Sequence, residues 1–181
     1  MAIQLATLGN GCFWCTEAIF KQLKGVQSVR SGFSGGTIKN PAYREVVTGR
    51  TGHAEVLQIQ YDDSLVSFAK LLEVFFATHD PTTLNRQGND VGTQYRSAIF
   101  YHDMKQKESA MATIEALQTS DAFADQIVTE VTAFEVFYPA EDYHNDYFAS
   151  HGHEPYCSLV IAPKVKKFMQ KFAEDMKPRL A

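Results

Sequence analysis

Between positions 67 and 78 the apolar residues Phe68, Leu71, Leu72, Phe75 and Phe76 recur at the three- and four-residue spacing of one helix face. His79-Asp80-Pro81 stops that helix. A two-residue period rules 54–61, where Glu55, Leu57, Ile59 and Tyr61 share one face of a strand and Val56, Gln58 and Gln60 the other. With the more apolar face inward, Glu55 is a carboxylate heading a buried row; as a charge at a strand end it simply reaches solvent. Further strands are expected at 2–8, 26–33, 95–101, 130–136 and 157–161, and helices at 103–119, 141–150 and 163–176. Asp103 caps its helix, with Met111, Ile114 and Leu117 inward. In the last helix, opened by Pro163, the residues Lys164, Lys166, Lys167 and Lys171 make a solvated face. Ser34-Gly35-Gly36 and the stretch 48–52 read as turns, 39–43 as a loop stiffened by Pro41, and 85–94 as a polar loop too long for a mere hairpin.

One more helix follows Cys12, so the first two-thirds of the chain runs strand-helix-strand-strand-helix-strand. That order predicts an α+β fold, a two-layer sandwich with helices on one face of a largely antiparallel sheet and a C-terminal extension around it. Neither a repeat nor a linker interrupts it, and 1–181 is read as a single catalytic domain.

Composition narrows the partners. Of 181 residues 45% are hydrophobic, enough for one well-packed core, and the net charge of −4 argues against nucleic acid. The most apolar stretch, 68–77, is interrupted by Lys70 and Glu73, far short of the roughly 20 residues of a membrane span. Residues 1–9 lack a basic segment leading into an apolar run, so a cytoplasmic location is expected. Three cysteines fit thiol chemistry in a reducing compartment better than a disulfide framework.

Two of those cysteines and the only tryptophan fall in Gly11-Cys12-Phe13-Trp14-Cys15, directly before a helix with Glu17 in its first turn, Ile19, Phe20 and Leu23 on its apolar face and Lys21, Lys24 and Gly25 at its end. Unpaired amides and the helix dipole at such a start favour a thiolate, so Cys12 is expected to be solvent-reachable, of lowered pKa and nucleophilic. Phe13 and Trp14 are placed to wall a pocket for a small apolar group. Other readings of the segment are a buried inert cysteine, a disulfide oxidoreductase using Cys12-x-x-Cys15, and a non-enzymatic binding module using the Phe13–Trp14 pocket. A zinc knuckle would have to recruit His151, His153 and Cys157, and bulky Phe13 and Trp14 suit it poorly, so no metal is expected.

Several blocks occur together: Gly11-Cys12-Phe13-Trp14 with Glu17, Gly35-Gly36, Asn40-Pro41-x-Tyr43, Gly52-His53-Ala54-Glu55-Val56, His79-Asp80-Pro81, and 86–97 from Arg86-Gln87-Gly88-Asn89-Asp90 through Gly92-Thr93-Gln94-Tyr95-Arg96-Ser97. In that order, over nearly the whole chain, they resemble the A-type peptide methionine-sulfoxide reductases. The resemblance implies a ferredoxin-like β-α-β-β-α-β core. It also implies reduction of the S epimer of methionine sulfoxide, free or in proteins, with no bound cofactor and thioredoxin as external reductant. Cys12 would attack the sulfoxide sulfur while Glu55, kept neutral by burial, protonates the oxygen. Tyr43 and Tyr95 would hydrogen-bond that oxygen, Asp90 would order their network, and Phe13 and Trp14 would hold the methyl group.

The Cys12 sulfenic acid so formed must condense with a second thiol. Many members of the family end in a glycine-rich tail carrying recycling cysteines and have glycine at the position of Cys15. This chain has Cys15 and a Cys157 followed by Val160, Ile161 and a helix, so recycling runs through Cys15, Cys157 or neither, and both thiols are candidates for the resolving cysteine. Cys15 is favoured slightly, being three residues on along the same helical turn.

Overall fold

The computed structural model describes residues 2–178. In chain order the elements are β1 (Ile3–Asn10), α1 (Phe13–Phe20), β2 (Val26–Ser34), α2 (Tyr43–Val46), β3 (Ala54–Asp62), α3 (Phe68–Ala77), β4 (Arg86–Gln87), β5 (Asp90–Val91), β6 (Ser97–Tyr101), α4 (Met104–Thr119), β7 (Glu130–Ala133), β8 (Tyr138–Pro139), α5 (Tyr147–His151) and α6 (Ala162–Lys171). The main sheet runs β7-β6-β1-β3-β2-β8. Its β6-β1-β3-β2 centre is antiparallel throughout, with α1 and α3 in the connections, which is the expected ferredoxin-like core. Only β7 runs parallel, beside β6.

The alternation along β3 sorts as its sequence reads. Leu57, Ile59 and Tyr61 enter the main core, shared with Ile19, Phe20 and Leu23 of the α1 region and Leu71, Leu72 and Phe75 of α3. Val56 faces the opposite side, where Ala98 and Phe100 pack under Phe134 and Phe137. Ser67 caps α3 by accepting the Lys70 amide at 3.0 Å, and Asp103 caps α4 by accepting that of Gln106 at 2.8 Å.

Several elements differ from the expectation. In α4 the inward residues are Gln106 and Ala110, with Ile114 and Leu117 half-buried, while Met111 is 51% exposed; it lies off the 106-110-114-117 stripe. Residues 85–94 do contain a hairpin, β4 against β5, turned by Gly88 at φ +58°. Tyr95 belongs to a 3₁₀ turn, Thr93–Tyr95, and the strand starts at Ser97. The segment Cys157–Ile161 is a π-helical turn feeding α6 and not a strand, a short apolar run being compatible with either. Lys164 is half-buried, whereas Lys166, Lys167 and Lys171 are exposed.

Candidate active site

β1 delivers the chain to Gly11, whose φ of +105° turns it into α1; a Cβ there would stand 2.8 Å from Gln87 Cγ. Gln87 fixes this wall: its Oε1 accepts the Asp80 amide and its Nε2 donates to the Asp80 carbonyl, both at 2.9 Å. Cys12 is the N-cap of α1, its carbonyl accepting the Cys15 amide at 3.1 Å. Thr16 Oγ1 donates to Asn10 Oδ1 and to the Cys12 carbonyl, bracing the turn.

The helix start is where the sequence puts it, but its electrostatic consequence is reversed. Cys12 is only 7% exposed, and burial pushes its thiol well above the usual range, helped by its hydrogen bond with Cys15 and the proximity of Glu55. A helix N-terminus contributes roughly 0.3–1 kcal/mol, whereas full burial moves a pKa by up to several units. Cys15, hydrogen-bonded to Cys12, is held below the usual thiol value. Cys157 is buried in the same core, its pKa raised by burial, with Glu154 and Cys15 adding to the rise. All three cysteines are free thiols.

Glu55 is 1% exposed. Its Oε1 accepts the Phe13 amide at 3.2 Å, while Oε2 has no hydrogen-bond partner among the described residues. Burial pushes its pKa up to about 8 against the opposing pull of that amide, so the acid carries its proton at neutral pH. Burial and the neighbouring Glu55 likewise raise the Tyr43 and Tyr95 phenols, keeping both as hydrogen-bond donors. Gln94 Nε2 donates to the Val47 carbonyl at 3.2 Å and Thr93 Oγ1 to that of Gly49 at 3.4 Å, tying the turn of Tyr95 to the end of α2, which starts at Tyr43.

Phe13 and Trp14 form an aromatic wall with Tyr43. Phe13 lies 6.1 Å and Trp14 6.2 Å from the Tyr43 ring. The wall continues into residues whose part the sequence did not reveal. Trp14 stacks flat on Tyr147 at 3.8 Å, and its Nε1 donates to buried His144 Nδ1 at 3.1 Å. Tyr156 stands edge-on to Trp14 at 5.9 Å, and its hydroxyl donates to Asp90 Oδ2 at 2.8 Å and contributes to lowering the Cys15 pKa. Asp90 thus links β5 to the C-terminal segment. The only sign of these residues in the sequence is the density of aromatic and histidine residues between 143 and 156. Among the described residues no group of three or more His, Cys, Asp or Glu side chains is arranged to hold a metal ion.

The site therefore unites a thiol pair, a neutral buried acid, two phenols and an aromatic wall. The family model described as Peptide methionine sulfoxide reductase matches residues 4–177. The Peptide methionine sulfoxide reductase MsrA of Saccharolobus solfataricus is 55% identical, over 97% of this chain and 98% of that relative. The MsrA of Polynucleobacter asymbioticus is 50% identical, over 99% of this chain and 94% of the relative. Among solved structures, reduced Mxr1 from Saccharomyces cerevisiae superposes with a TM-score of 0.77 at 34% identity, covering 86% of this chain and 89% of that one. Mxr1 in complex with Trx2 superposes with a TM-score of 0.54 at 27% identity, covering 77% and 82%.

Proposed function

The chain belongs to the peptide methionine sulfoxide reductases, and from that premise we propose that Cys12 reduces the S epimer of methionine sulfoxide, free or within proteins, with Glu55 as the proton donor. The observation that carries this reading is the neutral Glu55 carboxyl buried beside the Cys12 thiol, next to the aromatic cluster of Phe13, Trp14 and Tyr43. A sulfoxide oxygen leaves only when protonated, and an ionised acid has no proton to give.

Cys12 attacks the sulfoxide sulfur as Glu55 protonates the oxygen, and the Cys12 proton goes to the Glu55 carboxylate left behind. The net exchange moves the oxygen to Cys12 Sγ, which loses two electrons while the substrate sulfur gains two. Methionine and Cys12 sulfenic acid result. The phenols of Tyr43 and Tyr95 donate to the oxygen, where charge develops in the transition state. Phe13 and Trp14 hold the methyl group. Asp90, through Tyr156, keeps the C-terminal segment over the thiols.

Recycling runs through Cys15, whose thiol already meets that of Cys12. It condenses with the sulfenic acid, releasing water and leaving a Cys12–Cys15 disulfide that an external dithiol reduces. That dithiol is thioredoxin, as the Trx2 complex of the related Mxr1 suggests. No bound cofactor is required, and residues 1–181 act as one catalytic domain. Among the described residues no helix is long and apolar enough to cross a membrane, and free thiols suit the reducing cytoplasm.

The test is incubation with each epimer of a methionine-sulfoxide peptide and dithiothreitol. Methionine is expected from the S epimer alone; turnover of neither epimer would overturn the reading, and a dithiol–disulfide exchange activity in its place would favour the oxidoreductase alternative.

A further inference from the structure

Glu17 lies in the second turn of α1, not the first as the sequence suggests, because the helix already starts at Phe13, and its side chain is not directed at solvent. It is 2% exposed. A buried carboxylate is costly unless held by donors. Its Oε1 accepts the Asp146 amide at 2.5 Å, the Tyr147 amide also favours its charged form, and Lys21, paired with Asp146 at 2.9 Å, lies near. Burial still pushes its pKa up to about 7.

Both amide donors belong to one short turn. Asp146 adopts φ +56°, the left-handed region, at the entry to α5. On the other side of the turn Asn145 Oδ1 accepts the Ser31 amide of β2 at 3.2 Å. The turn carries His144, whose ring lies 5.2 Å from Phe13 and 4.3 Å from Tyr43, and Tyr147, flat against Trp14. These bonds hold the two rings against α1 across some 130 residues, beside the Glu141 carboxylate that accepts the Tyr43 amide.

We propose that Glu17 is a positioning residue for the methionine-binding pocket: its carboxylate fixes the turn 144–147 so that His144 and Tyr147 back the Trp14 indole. This rests on the reading that the sulfoxide methyl binds against Phe13 and Trp14. An acid serving the fold alone would change stability and leave the pocket as it is.

The experiment compares wild-type chain with Glu17→Met, which keeps the volume without an acceptor, and Glu17→Gln, which keeps one carbonyl. Two readouts are taken: single turnovers on a methionine (S)-sulfoxide peptide, and the fluorescence of Trp14, the only tryptophan. Glu17→Met is expected to raise the half-saturating sulfoxide concentration about tenfold while the rate at saturation stays within about threefold. Its indole emission shifts to the red and becomes more accessible to acrylamide, and Glu17→Gln recovers most of both effects. Wild-type emission and half-saturation in Glu17→Met, with only the melting temperature changed, would overturn the proposal. Should Glu17→Met not fold, hydrogen exchange in the wild-type chain decides: Asp146 and Tyr147 amides exchanging at unprotected rates would also overturn it. A wild-type chain inert toward the sulfoxide would defeat the reading of the reaction instead, and the fluorescence comparison would then decide the positioning role by itself.

Discussion

The Tyr156 hydroxyl donates to Asp90 Oδ2 at 2.8 Å, bonding the residue immediately before Cys157 to the β4–β5 hairpin that borders the Cys12 turn. A hydrogen bond to a charged group contributes about 1.5–3 kcal/mol. Tyr156→Phe is therefore expected to raise local opening of the segment at least about tenfold. Pulse alkylation with mass-spectrometric readout would register this as faster labelling of Cys157, and an unchanged Cys157 rate would show that the bond does not hold the segment down.

Replacing Glu55 by Gln keeps shape and one acceptor but removes the proton. Sulfoxide reduction is expected to slow on the order of 10²–10⁴-fold with substrate binding little altered. Because the neutral acid is the active form and its pKa stands near 8, the wild-type rate of the chemical step should fall as pH rises through about 8. Single-turnover rates across pH 6–10 check both points, and a Gln variant near the wild-type rate would remove Glu55 from the mechanism.

The same shift bears on stability, with a definite sign. The folded pKa of Glu55 is raised from about 4.5 to about 8, so between those values the folded chain holds a proton that the unfolded chain has lost. Its contribution is fully favourable below pH 4.5 and is lost as pH rises through 8, a change on the order of a few kcal/mol. Relative to wild type, Glu55→Gln should therefore gain in denaturant midpoint on going from pH 5 to pH 9. A constant difference between the two proteins would contradict this.

Cys12→Ser should end reduction with the fold intact, since serine offers no comparably soft nucleophile. In the wild-type chain, iodoacetamide labelling of Cys12 is expected to need a higher pH than that of an ordinary exposed thiol, because burial raises its pKa. A labelling midpoint near pH 7 would restore the simple helix-start thiolate.

For recycling, one equivalent of sulfoxide without reductant should leave a Cys12–Cys15 disulfide on peptide mapping, and Cys15→Ser should lose thioredoxin-dependent turnover while Cys157→Ser retains it. A Cys12–Cys157 bond that persists in Cys15→Ser, with turnover intact, would reassign the resolving thiol.

What the sequence discloses and what it hides divide along a physical line. The face of β3 that carries Glu55 was readable because strand alternation is local, and Cys12 was readable as a helix cap for the same reason. The acidity of Cys12 was not, because burial comes from elements distant in sequence and outweighs the local dipole. Glu17 reads as a first-turn acid, yet α1 starts at Phe13 and carries it in the second turn, under residues 144–147. His144 reaches Trp14 over a separation of 130 residues, which no local period encodes. Residues 157–161 misled because a five-residue apolar run fits strand or helix equally, and Gly88-Asn89 hid a hairpin whose strands are only two residues long.

The bonds from Trp14 to His144 and from Glu17 to Asp146 also fix an order of events during synthesis. The ribosome releases Cys12 well before the aromatic turn, which follows some 130 residues later, and chains fold from the N-terminal end as they emerge. Until residues 144–157 arrive, the Cys12 turn lacks one side of its enclosure. Full cover of the Cys12 thiol is therefore a late acquisition, complete only once residues 144–157 have joined α1.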